Sequence, residues 1–170
     1  LKNRPGYSRQ YPQGQGEDLY RRSLYTFWKR TSPPPQMSTF DAPSREECTV
    51  RRERTNTPLQ ALLLMNDPQY VEAARHFAER IMESGGDTDQ SRIRFAVKAT
   101  LGRDLRSQEE AQFESYLQQF RTDYQADPEA AQALIAIGEQ PAQTDFPQEL
   151  ATWTMVANLL FNLDEFVCKN

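Results

Sequence analysis

Beyond Thr57, apolar side chains recur at helical spacing, and no pair of alternating segments joined by a hairpin turn interrupts them. Thr57 and Pro58 open the first run, LQALLLMN: Thr57 suits a cap, Pro58 the first helical position, and Gln60 completes a capping box. A second start at Asp67-Pro68 leads into QYVEAARHFAERIMES and stops at Gly85-Gly86, with Val71, Ala74, Phe77, Ala78 and Ile81 on its buried face. Residues 89–101 carry Ile93, Val97 and Leu101 at helical spacing, with Gly102 as the stop. Ser107 and Glu110 predict a further capping box ahead of a stripe of Phe113, Tyr116, Leu117, Phe120 and Tyr124. Asp127-Pro128 starts a short helix ending near Ile137, and Phe146-Pro147 opens a long one that runs to the end of the chain. Apolar residues surround much of that last cylinder. It is expected to be the most buried element, with Trp153, Val156, Leu160 and Leu163 in the core.

The chain before Thr57 reads differently. Residues 1–16, rich in Pro, Gly, Gln and Tyr, carry no period and predict an extended arm. A helix is expected from near Glu17 to the residues before Pro33, with Leu19, Leu24, Phe27 and Trp28 as its stripe. Pro33-Pro34-Pro35 then predict polyproline geometry, because each ring fixes φ and removes a donor. Residues 33–56 form a long connection rich in Pro and Arg, ordered where it packs. The pattern as a whole predicts an all-α fold, an irregular bundle of five to seven helices, with one helical domain over 17–170 behind the arm.

Composition narrows the classes. A chain of 170 residues suits one domain of ordinary size. A net charge of −4 and a pI near 5.1 argue against general nucleic-acid binding, which needs a basic surface to displace counterions from phosphates. The mean hydropathy of −0.80 is low, so some segments are expected to stay extended or to lean on another surface. No apolar run is long enough to predict a membrane span. The opening LKNRPGYSRQ has neither an initiator Met nor a signal peptide, and reads as the start of a fragment or processed product. Cys48 and Cys168 are the only cysteines and fall in no CxxC or CxxCH arrangement, which leaves no haem-attachment or zinc-ribbon motif. Three arrangements stay open: two separate thiols, a Cys48 that pairs outside this chain, or an internal bridge. In the chain-entropy model such a bridge would contribute about 4–5 kcal/mol.

No motif for a nucleophilic hydrolase, a phosphate loop or a zinc protease is present. His76 has Glu72 four residues before it, a spacing that serves a metal or an acid–base pair but more commonly a plain helical hydrogen bond. The segment REECTVRRERTN is the most distinctive. Arg45, Arg51, Arg52 and Arg54 alternate with Glu46, Glu47 and Glu53, and guanidinium forks of this kind pin loop carbonyls and carboxylates. The same forks suit an anionic ligand such as a sulfate ester, a uronate, a phosphate or a haem propionate. Tyr25 and Trp28, beside Lys29 and Arg30, suggest a stacking site for sugars, although Leu24, Phe27 and Trp28 share a helix face and core packing is the default.

The stretch RRSLYTFWKRTSPPPQMSTFDAPSREECTVRRERTNTPLQALLLMNDPQYVEAARHFAERI resembles the signature of the planctomycete PSD domain family, a domain of unknown function. The closing NLLFNLDEFV is similar to that family's C-terminal end. The resemblance implies the helical C-terminal part of a large exported protein, periplasmic or extracellular, that also carries c-type cytochrome modules. It implies a setting in polysaccharide or sugar metabolism, and it assigns no chemistry to any residue. The expectation is a docking and structural domain with no cofactor of its own, haem c lying in an associated domain. Its partner is an upstream domain or subunit. A site-completing role in a haem-linked oxidoreductase acting on sugars, and a binding module for anionic carbohydrate, stand as alternatives.

Overall fold

Helix starts in this chain are set largely by proline. The computed structural model describes residues 14, 16–26, 28, 33–44, 47–51, 53–140 and 142–168. Two 3₁₀ turns, Gly16–Tyr20 and Ser23–Tyr25, precede α1 (Pro35–Thr39), α2 (Pro58–Asn66), α3 (Pro68–Ser84), α4 (Asp89–Leu101), α5 (Ser107–Ala126), α6 (Pro128–Ile135), α7 (Pro147–Phe161) and α8 (Asp164–Val167). α1, α2, α3, α6 and α7 each begin with a proline, whose fixed φ suits the first turn and whose missing N–H has no intrahelical partner to lose. Every regular element among the described residues is helical, as the periodicity predicts. These elements fall into two units, Leu1–Gln60 and Ala61–Asn170. The division lies inside α2, where the sequence pattern suggests one continuous domain from residue 17.

The second unit is built around α7. Its Leu150, Ala151, Trp153, Val156, Ala157 and Leu160 are buried against α3, α5 and α6. Ala78 and Ile81 of α3, Ile93, Ala96 and Val97 of α4, Phe113 and Leu117 of α5, and Ala131 and Ile135 of α6 complete the core. Charged side chains lock the helix ends together. Arg121 on α5 reaches Asp89 in the first turn of α4 at 3.0 Å and Glu149 in the first turn of α7 at 2.7 Å. Arg103 joins Glu109 of α5 at 2.7 Å to Glu165 of α8 at 2.6 Å.

The described residues of the first unit form no comparable core. Among its described residues only Pro34 and Gln60 are buried, while Tyr20, Leu24, Tyr25, Val50 and Leu59 stand exposed.

Several expectations change. The helix from Glu17 is replaced by the two 3₁₀ turns, and its supposed inward residue Leu24 is 73 % exposed. A short helix with adjacent Arg21 and Arg22 and with Leu24 left in solvent does not repay nucleation. Phe27, the other central residue of that stripe, lies outside the described residues, as does most of the 1–16 arm. The proline run is extended only at its start, since Pro35 is the first residue of α1. At α5 the expected capping box is replaced by a single cap bond one residue earlier, with the Arg106 N–H donating to Glu109 Oε2 at 3.1 Å. The C-terminal helix breaks after Phe161: Asn162 Nδ2 bonds back to the Asn158 carbonyl at 2.9 Å, Leu163 turns extended, and α8 restarts at Asp164. Tyr116 faces solvent instead of the core.

Two outcomes follow for the second unit. Leu160→Asp places an unpaired charge in the fully buried seam of α7 and is expected to cost about 4 kcal/mol or more, read as loss of the thermal transition. A variant melting like the parent would mean that α7 is not the centre of the core. The Glu109 carboxyl is held below the ordinary carboxylate range, first by the hydrogen bonds from Arg103. The unfolded chain therefore takes up this proton first as pH falls. The stabilisation is complete above the ordinary carboxylate range, near pH 4, and is lost below it. Urea midpoints compared at pH 7 and pH 3 should show a smaller acid loss in Glu109→Gln than in the parent.

Candidate functional site

The long connection after α1 is closed at its neck by a polar clamp. Asp41, in the left-handed region at φ 57°, accepts at Oδ2 from the Thr55 N–H at 2.8 Å, and its Oδ1 accepts from Thr55 Oγ1 at 2.9 Å. Gln60, only 1 % exposed, uses its whole amide. Nε2 donates to the Thr39 carbonyl at 2.7 Å and to Thr55 Oγ1 at 3.1 Å, while Oε1 accepts from the Thr57 N–H at 2.8 Å. The last bond is half of the capping box expected at α2, whose return bond runs from the Gln60 N–H to Thr57 Oγ1 at 3.3 Å. One buried side chain thus caps a helix and closes a loop, because Asp41 and Thr55 meet only when residues 42–54 form a closed excursion.

The residues singled out in the sequence lie on or before that excursion. Arg51 and Arg54 are exposed, and Val50 is fully exposed between them and Cys48. Arg45 and Arg52 lie outside the described residues. Tyr25 is exposed and Trp28 half-buried. Cys48 is exposed, Cys168 is half-buried behind α8, and no disulfide joins them. Among the described residues no cluster of three or more His, Cys, Asp or Glu side chains is arranged to hold a metal ion.

A second polar cluster sits on α3. Glu72 and Arg75 are 2 % and 1 % exposed. Arg75 Nη1 donates to Glu79 Oε1 at 2.8 Å, and Arg75 Nη2 donates to the Gln140 carbonyl in the α6–α7 connection. The Gln140 N–H donates to Glu72 Oε1 at 2.8 Å. His76 pairs with Glu79, Nδ1 to Oε2 at 2.8 Å, whereas Glu72, the partner suggested by spacing, stands 4.0 Å from it. A residue that marks this cluster and was not singled out in the sequence is Gly138. Its φ is +110°, and a Cβ there would run into the Glu72 carboxyl group, with Cγ and Oε2 both at 2.7 Å.

A family model described as PSD1, protein of unknown function (DUF1553), matches residues 2–117, more than half of the chain. This chain belongs to the PSD1 family. No curated protein and no solved structure matches it. The PSD1 match takes in the clamped loop, α2, α3 with Glu72 and Arg75, α4 and the first part of α5. The NLLFNLDEFV end lies outside it, as do α6, α7 and the Gly138–Gln140 connection.

The clamp of this PSD1 domain can be tested by Gln60→Leu, which keeps the volume and removes every hydrogen bond. The stranded Thr39 carbonyl and Thr57 N–H are expected to cost about 2–3 kcal/mol. Hydrogen exchange at Thr55 and Thr57 should accelerate strongly while α5 and α7 keep their protection. Unchanged exchange at both threonines would show that the loop is closed by something else.

Proposed function

We propose that this PSD1 chain is a non-catalytic docking and structural domain of an exported multidomain protein, seated on an upstream domain of that polypeptide. The observation that carries this reading is the contrast within the first unit. Its described residues bury no apolar side chain larger than Pro34, yet they expose Tyr20, Leu24, Tyr25, Val50 and Leu59. A unit of that size with its apolar residues outward is normally completed by another surface. The clamp at Asp41, Thr55 and Gln60 supports the same reading, because it keeps the 42–54 excursion closed before any partner arrives and so lowers the ordering cost of association. The arginines of that excursion supply planar forks for carboxylates or carbonyls on the partner. Linkage to c-type cytochrome modules belongs to the same proposal and rests on the sequence resemblance.

The experiment compares the parent with Arg51→Lys plus Arg52→Lys, which keeps the charge and removes the fork. Association is measured against the upstream portion of the native polypeptide. The double variant is expected to bind at least about tenfold more weakly, equivalent to about 1.4 kcal/mol. Unchanged association together with lost affinity for a sulfated or uronic glycan would replace docking by carbohydrate binding. The haem absorbance of the full polypeptide tests the cytochrome link separately.

A further inference from the structure

Gln140 is gripped by its backbone. Its N–H is read by a buried carboxylate and its carbonyl by a buried guanidinium, both from α3 and separated from it in sequence by 68 and 65 positions. The grip leaves one donor over, since Arg75 Nε is buried without a hydrogen-bond partner. The Nε and Nη2 hydrogens lie on the same edge of the guanidinium plane and together match two acceptor oxygens, of which Gln140 supplies one. A buried donor left unpaired carries a desolvation cost, so an occupant bringing a second acceptor would fit this edge better than the chain's own connection does.

Charge decides what kind of occupant that is. Arg75 already faces Glu72 at 3.6 Å and Glu79 at 2.8 Å, two carboxylates for one guanidinium. A further carboxylate would be repelled, whereas peptide carbonyls bring acceptors without charge. Shape adds a sequence requirement. The backbone two residues before the gripped one passes so close to Glu72 that only glycine fits. The receptor side chains lie within the PSD1 match and Gln140 lies outside it.

We infer that Glu72 and Arg75 form a receptor for the backbone of a bent peptide segment of the pattern Gly-X-X, met through its uncharged peptide groups, and that the Gly138–Gln140 strap occupies it as an internal competitor. The third residue of the incoming segment donates its N–H to Glu72 Oε1 and gives its carbonyl to Arg75 Nη2, and a neighbouring carbonyl meets Nε. Glu79, itself bonded to His76, holds the guanidinium in place through Nη1. This site lies in the second unit and does not depend on the docking role of the first.

The test frees the receptor and offers the peptide in trans. Gly138→Ala forces the strap off Glu72, which faster hydrogen exchange over 136–146 should report while α3 and α7 stay protected. A labelled peptide of residues 136–143, blocked at both ends, is then expected to bind this variant at least about tenfold more tightly than the same peptide with Ala in place of its glycine. Adding Arg75→Lys should abolish that binding. An open strap with no saturable binding, or equal binding of the two peptides, overturns the proposal. Tighter binding by a peptide ending at Gln140 with a free carboxylate would overturn its commitment to peptide carbonyls as the acceptors. Should Gly138→Ala fail to fold, the parent chain decides: millimolar peptide must accelerate exchange of the Gln140 amide by competition, and no acceleration rejects the idea.

Discussion

The second unit depends on one constraint: α7 is buried around nearly its whole circumference, so each polar group on it must be satisfied inside the protein. Thr152 and Thr154 donate to the carbonyls of Gln148 and Leu150 on their own helix, and Asn158 reaches the Leu64 carbonyl at 3.2 Å. Trp153, the largest fully buried side chain, sends its indole N–H to Glu149 Oε1 at 2.9 Å. That carboxylate would be costly beside the core alone. Arg121 neutralises it and in the same fork holds Asp89, so burial of one indole ties the starts of α4 and α7 to the middle of α5. Two acids in the first turns of two helices also suit the positive ends of their dipoles.

The first unit rests on a different principle. With little apolar burial available, its order comes from a small set of directed hydrogen bonds around Gln60, and directed bonds fix geometry better than they add net stability. The consequence is a loop of defined closure.

The sequence carries the α-helical content well because the helix starts here are chemical rather than statistical. Asp67-Pro68, Asp127-Pro128 and Phe146-Pro147 each mark a start to the residue, and Gly102 at φ 71° marks a stop. Where the signal was only periodicity, it misled. Leu19, Leu24 and Trp28 have a roughly helical spacing, but a stripe makes a helix only when something packs on it. The candidate sites were legible to the extent that they were local. The capping box of Thr57 and Gln60 was plain in the sequence, and its second role was not, because the Thr39 carbonyl and Thr55 hydroxyl that Gln60 also binds are brought to it by tertiary closure. The burial of Glu72 and Arg75 was not legible, since their partner is a backbone group that carries no side-chain signature.

That last pair raises the question of why a helix in an apolar bundle keeps a buried charge on each of two side chains. Apolar residues of the same volume would fill the space, often with a gain in stability. They would not fix the α6–α7 connection, because holding Gln140 by its peptide group needs an acceptor for the N–H and a donor for the carbonyl at once. Glu72 and Arg75, one helical turn apart, supply both from a rigid element, and Glu79 keeps the guanidinium aimed without reaching the connection itself. The arrangement gives up stability for register. A connection held by its backbone, with glycine required at one point and side chains unread elsewhere, is replaceable by any chain of the same backbone shape.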